Sequence, residues 1–160
     1  MSEPLAPEIL SAPERVIVGT TRRYTMMRRS EIPRQWQEFF DAGHRIPGAI
    51  EGPMFGVSFE MDPAGGFRYC VGKEVAAPPS PLPEELDAVT LSAGTYAVLR
   101  RLGPVARMTR DFDRMFSEWL PGSGRQIREG AVFERYPPDD RNGPDVMAYE
   151  IWVPVTGGAG

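Results

Sequence analysis

Cysteine and histidine each occur once in this chain of 160 residues, as Cys70 and His44. A lone cysteine cannot close an intrachain disulfide, so nothing ties the chain to an oxidising compartment and the expected setting is cytoplasmic. One histidine and one cysteine cannot build a multi-histidine or cysteine-rich metal site, and His44 reads as a surface loop residue. No metal and no cofactor are expected. No apolar run approaches the roughly 20 residues of a membrane span, and the amino terminus has no charged stretch followed by an apolar one, which argues against membrane association and secretion. A dominant charge is missing too: Lys and Arg number 18 against 22 Asp and Glu, for a net charge of −4. The arginines come as pairs, Arg22–Arg23, Arg28–Arg29 and Arg100–Arg101, with acids between them, so direct DNA binding is not expected. The glycine-rich pieces Pro63 to Gly66 and Gly122 to Gly124 lack the lysine of a phosphate loop, and Ser123 has no evident histidine to activate it.

What is present is a pattern stated twice. Residues Arg15 to Val75 read as strand, helix, strand, strand, and Gly94 to Thr156 repeat that order. In the first copy, Ser30 is the expected N-cap, and Ile32, Trp36, Phe39 and Phe40 fall on one helical face before Gly43. Met54 to Met61 and Phe67 to Val75 flank the turn cluster Asp62 to Gly66, a hairpin signal. In the second copy, Thr95 to Leu102 reads as a strand and Pro104 opens a helix whose face carries Val105, Met108, Phe112, Met115, Phe116 and Trp119. Ala131 to Tyr136 and Val146 to Val155 supply the closing strands. Residues 1–14 are expected to be a flexible arm, residues 76–93 a stiff connector because of Pro78, Pro79, Pro81 and Pro83, and residues 157–160 a tail. The expectation is therefore one α+β domain over residues 15–156, built from modules 15–75 and 94–156. Its antiparallel sheet carries two helices on one face and a ligand cleft on the other.

The segments Phe55–Gly56–Val57, Gly94 to Val98, Trp119–Leu120–Pro121 with Ser123–Gly124, Phe133 to Tyr136 and Ile151 to Val155 resemble the GyrI-like effector-binding family. That family includes the ligand-binding domains of AraC- and MerR-type multidrug-sensing regulators of bacteria and a small gyrase-binding protein. The resemblance spans Arg15 to Val155 and implies a small-molecule-binding domain; lacking room for a helix-turn-helix, the chain resembles the standalone form. It also implies that Glu134 is the acid of an aromatic pocket, and it leaves DNA gyrase or a separate regulator as possible protein partners.

Strand parity gives an independent reading of that pocket, because alternate side chains face opposite sides of a sheet. Phe55, Val57, Phe59, Phe67, Tyr69 and Val71 are bulky and are assigned to a core under the helices. Gly56, Ser58, Cys70 and Gly72 are small and leave space on the other face. Aligning the modules through Phe55 with Phe133 and Val71 with Val153 puts Glu134 and Trp152 beside Gly56 and Cys70. On the same alignment Arg135 falls under a helix, which predicts a strand end or a bulge there. Met54, Tyr24 and Tyr96 complete the candidate wall. An acid among aromatic rings suits a hydrophobic, cationic or planar aromatic compound. The alternatives are a hydrolase of electrophilic cyclopropane-type natural products with Glu134 as general base, a protein-binding module, and a Glu134 that is merely a solvated strand residue paired with an arginine.

Overall fold

The computed structural model describes residues 5–43, 45–78, 80–104 and 106–156, so the expectations for His44, Val105 and the tail fall outside the described residues. Among the described residues, eight strands form a single antiparallel sheet: β1 (Glu8–Ala12), β2 (Arg15–Thr25), β3 (Met54–Phe59), β4 (Gly66–Val75), β5 (Asp87–Leu91), β6 (Gly94–Gly103), β7 (Val132–Tyr136) and β8 (Met147–Pro154). Their spatial order is β1-β6-β8-β7-β3-β4-β2-β5. The two modules occupy the halves β6-β8-β7 and β3-β4-β2, and β7 pairs with β3 at the seam, with Glu134 opposite Gly56. No described helix is long and apolar enough to cross a membrane.

Two strands lie where none was expected. Glu8–Ala12, inside the expected arm, pairs with β6, and Asp87–Leu91, inside the expected connector, pairs with β2. Each strand crosses to the far module: the one preceding the first module edges the second, and the one preceding the second edges the first. The proline cluster ends before β5 begins, so it does not interfere with the ladder.

This exchange forces the sheet to curl. In a flat sheet, strands six places apart would lie about 28 Å from each other. Yet β1 and β2 are joined only by Pro13 and Glu14, and β5 and β6 only by Ser92 and Ala93, a reach of about 11 Å for three peptide units. The sheet is therefore a half-barrel with a concave cleft. The Arg15 guanidinium of β2 accordingly stacks over the Trp152 ring of β8, 5.1 Å from its centroid. The concave side is filled by Ile17, Phe55, Val57, Cys70, Tyr96, Phe133 and Trp152.

Both helices lie on the convex side. A 3₁₀ turn (Met26–Glu31) leads into α1 (Ile32–Ala42), so Ser30 sits inside that turn instead of capping the helix. Gly43 stops α1 with a left-handed φ of 60°, a conformation glycine adopts without strain. Phe39 and the half-buried Ile32 and Trp36 cover Tyr24, Phe67, Tyr69 and Val71. In the second module α2 (Arg107–Arg114) continues through a π-helical turn (Met115–Trp119) into a last turn, Leu120–Gly122. Met108, Phe112, Met115, Phe116 and Trp119 cover Tyr149, Ile151 and Val153. Each helix is also pinned by a buried polar side chain. Gln35 of α1 accepts from the Tyr24 hydroxyl (2.8 Å) and donates to the Thr20 and Tyr69 carbonyls, while Asp111 of α2 accepts from the Tyr149 hydroxyl (2.6 Å).

Candidate functional site

The register shows which candidate side chains meet. Gly56 pairs with Val71 and with Glu134, and Met54 with Tyr136, so Met54, Gly56, Tyr69, Val71, Glu134 and Tyr136 share one face. That face carries the helices. Phe133 pairs with Trp152, and Val57 with Cys70, which puts Cys70 and Trp152 on the opposite, concave face with Tyr96. Sharing an even residue number did not put Gly56 and Cys70 on one face, because the β3–β4 register matches odd positions with even ones.

Of the expected wall, Glu134, Gly56 and Met54 therefore come together. Tyr24 lies on their face beside Tyr69 (ring centroids 6.5 Å apart), but its hydroxyl is committed to Gln35. Tyr96 donates to the Ser92 carbonyl at 2.6 Å, and the Trp152 indole donates to Glu150 at 2.9 Å, so both serve the concave core. Arg135 needs no bulge: it lies within β7 on the helix-free face and pairs with Glu150 at 3.2 Å.

Around Glu134 the structure adds three aromatic residues. The Tyr69 hydroxyl donates to Glu134 Oε1 at 2.7 Å, and the Tyr136 hydroxyl approaches the same oxygen at 3.3 Å. The Trp36 indole of α1 donates to the Tyr69 oxygen at 3.0 Å, and its ring meets Tyr136 edge-on, with centroids 5.1 Å apart. Gly56 makes room for this group, since a Cβ there would overlap the Tyr69 hydroxyl and lie 2.9 Å from Glu134 Oε1. Tyr136 is legible in the sequence, being two residues from Glu134 on one strand. Tyr69 and Trp36 are not, because strand parity and the helical stripe assign both to the core.

The carboxyl is only 3 % exposed and, among the described residues, no arginine or lysine forms an ion pair with it. Burial pushes its pKa up to about 7, and the hydrogen bonds from Tyr69 and Tyr136 oppose that rise. Burial, followed by the neighbouring carboxylate, holds both tyrosine hydroxyls well above their ordinary range, so they remain protonated donors. Arg29 of the 3₁₀ turn grips Asp113 of α2 through two bonds of 2.7 and 2.9 Å, linking the helical layers of the two modules. Among the described residues no three His, Cys, Asp or Glu side chains gather to hold a metal ion.

The profile of the GyrI-like small molecule binding domain matches residues 5–156. The chain belongs to this family. A relative in sequence is the transcriptional regulator BrlR of Pseudomonas aeruginosa, 26% identical over 126 residues. The match covers 78% of this chain and 46% of BrlR, so the chain spans about half of that relative's length. Among solved structures, SAV2435 bound to tetraphenylphosphonium superposes with a TM-score of 0.75 at 18% identity, covering 96% of this chain and 95% of that one. A putative bacterial transcription regulation protein from Staphylococcus aureus MU50 superposes at 0.71 and 17% identity, covering 96% of this chain and all of its own. These likenesses show that the chain shares the fold of both structures.

Proposed function

We propose that this GyrI-like domain captures hydrophobic cations at Glu134, on the convex face between α1 and α2. The observation that carries this reading is a buried carboxyl ringed by Trp36, Tyr69 and Tyr136, with no cationic partner among the described residues. An ionised carboxylate taken out of water is unfavourable alone, and a lipophilic cation beside it restores the balance while its apolar arms meet the rings. The carboxyl is buried while Trp36 and Tyr136 beside it are half-buried, so on this reading a ligand reaches Glu134 by displacing those rings.

Tetraphenylphosphonium, the compound held by SAV2435, is the natural probe, and triphenylphosphine oxide is a neutral counterpart. The expected result at pH 8 is that Glu134→Gln weakens the cation by about tenfold or more, roughly 1.4 kcal/mol, and leaves the neutral compound nearly unchanged. Equal losses for both compounds, or no loss for either, would refute a charge anchor.

A second reading is favoured by one observation: a carboxyl whose pKa stands near 7 is poised to take a proton from water at neutral pH, as a hydrolytic general base does. Turnover of an electrophilic cyclopropane, abolished by Glu134→Gln, would select that reading over simple capture.

A further inference from the structure

Trp36 belongs to the apolar stripe of α1, yet its indole N–H is aimed at the one hydroxyl that contacts the site carboxyl most closely. Hydrogen-bond bookkeeping decides the direction of the chain. An indole nitrogen can only donate, so the Tyr69 oxygen must accept from it, and a phenol has a single proton to give. The proton that Tyr69 retains therefore points to Glu134 Oε1, 2.7 Å away. Donation from Trp36 also polarises the Tyr69 O–H, because hydrogen bonds in series strengthen one another.

We propose that Trp36 is a positioning residue of the Glu134 site: its N–H commits the Tyr69 proton to the carboxyl and so governs how readily Glu134 releases its own proton when a cation arrives. This rests on the reading of Glu134 as the charge anchor. The step conserves charge: the carboxyl O–H breaks, its proton passes to solvent, and the carboxylate left behind accepts the Tyr69 hydrogen bond and faces the cation.

Among the described residues, the groups that hydrogen-bond the Glu134 carboxyl are Tyr69 first, then Tyr136 and the backbone amide of Glu134 itself, so the Trp36–Tyr69 pair is the leading control. The carboxyl's own strand presents Tyr136, at the longer distance of 3.3 Å, and β4 presents Tyr69. From β8, Ile151 lies directly opposite and Tyr149 one position along that face, committed to Asp111 of α2, which Arg101 also approaches at 3.3 Å. From β3 come Met54, Gly56 and Ser58, and from α1 Gln35 and Trp36, none of which titrates. Arg29 and Asp113 neutralise each other. Because Trp36 rides on α1, displacing that ring to admit a ligand also changes the hydrogen bonding that sets the charge of Glu134.

The test is a pH titration of the full chain by carbon NMR with the glutamate side-chain carboxyls labelled, the Glu134 signal being the one lost in Glu134→Gln. Trp36→Phe keeps a ring and removes the N–H, and replacing the indole by the isosteric benzothiophene removes the N–H at unchanged volume. Both are expected to move the Glu134 midpoint upward by roughly half a pH unit, about threefold in proton affinity, in the same direction as Tyr69→Phe and by less. A midpoint unchanged or lowered in both Trp36 variants would overturn the proposal. Because this readout needs no ligand, failure of the wild-type protein to bind tetraphenylphosphonium alongside an intact upward shift would overturn the capture reading and uphold the positioning role.

Discussion

Glu134→Gln replaces a buried carboxyl by an amide of the same shape, and the structure fixes both the size and the pH window of its effect on stability. The carboxyl moves from an ordinary value of 4.5 to about 7 on folding. A difference of about 2.5 units at roughly 1.4 kcal/mol each corresponds to about 3 kcal/mol. The sign follows from which state binds the proton more tightly. Below pH 4.5 both states are protonated and the carboxyl imposes no penalty. As pH rises towards 7 the unfolded chain loses the proton while the folded chain keeps it, so stability falls, and above 7 the loss is complete. Glutamine carries no such penalty. Its amide oxygen can still accept from Tyr69 and Tyr136, while its N–H₂ group lacks an assured partner, which offsets about 1 kcal/mol. The net expectation at pH 8 is that the variant is more stable than the wild type by about 2 kcal/mol, or roughly 4–8 °C in Tm for a chain of this size. At pH 4.5 the carboxyl penalty is nearly gone while the amide cost of about 1 kcal/mol remains, so the variant should be slightly the less stable of the two. Thermal unfolding of both proteins followed by circular dichroism from pH 4.5 to 8.5 measures this directly. A Tm difference that does not change with pH, or a glutamine variant less stable at pH 8, would refute the claim that Glu134 is buried without a compensating charge.

Two further outcomes follow from the same geometry. Gly56→Ala places a methyl group against the Tyr69 hydroxyl and 2.8 Å from its Cζ, where the ring is buried and hemmed in, so the variant should lose about 1–3 kcal/mol with its affinity for the cation; an unchanged Tm would contradict the close approach. Cys70 is fully buried on the concave face and burial pushes its thiol up to about 12, so it should resist a thiol reagent such as DTNB in the folded protein and react on unfolding; prompt stoichiometric labelling of the native state would show that face to be open.

Local patterns carried much of this molecule. The apolar stripes marked both helices, since residues three and four apart share a face, and Gly43 ended the first one as expected. Tyr136 was within reach too, because positions two apart on a strand point the same way. The other site residues depended on register. The turn closed by Asp62, which accepts from the Ala64 and Gly66 amides, sets Val57 against Cys70, and that offset by one position moves Tyr69 onto the face of Glu134. No periodicity within either strand reports that offset. The edge strands β1 and β5 were hidden for a similar reason: a strand of five residues has little pattern of its own, and its partner lies more than 80 residues away in the case of β1 and β6.

The amino-acid order by itself determined the duplicated strand-helix-strand-strand plan and the helical faces, because those depend on spacings within a few residues, and likeness to a known motif singled out Glu134. Only the tertiary structure decided which side of the sheet the carboxyl faces, that Trp36 and Tyr69 stand over it, and that Tyr96 and Trp152 fill the opposite hollow. Those outcomes depend on strand register and on the exchange of edge strands between modules, and both are settled by hydrogen bonding between residues far apart in the chain.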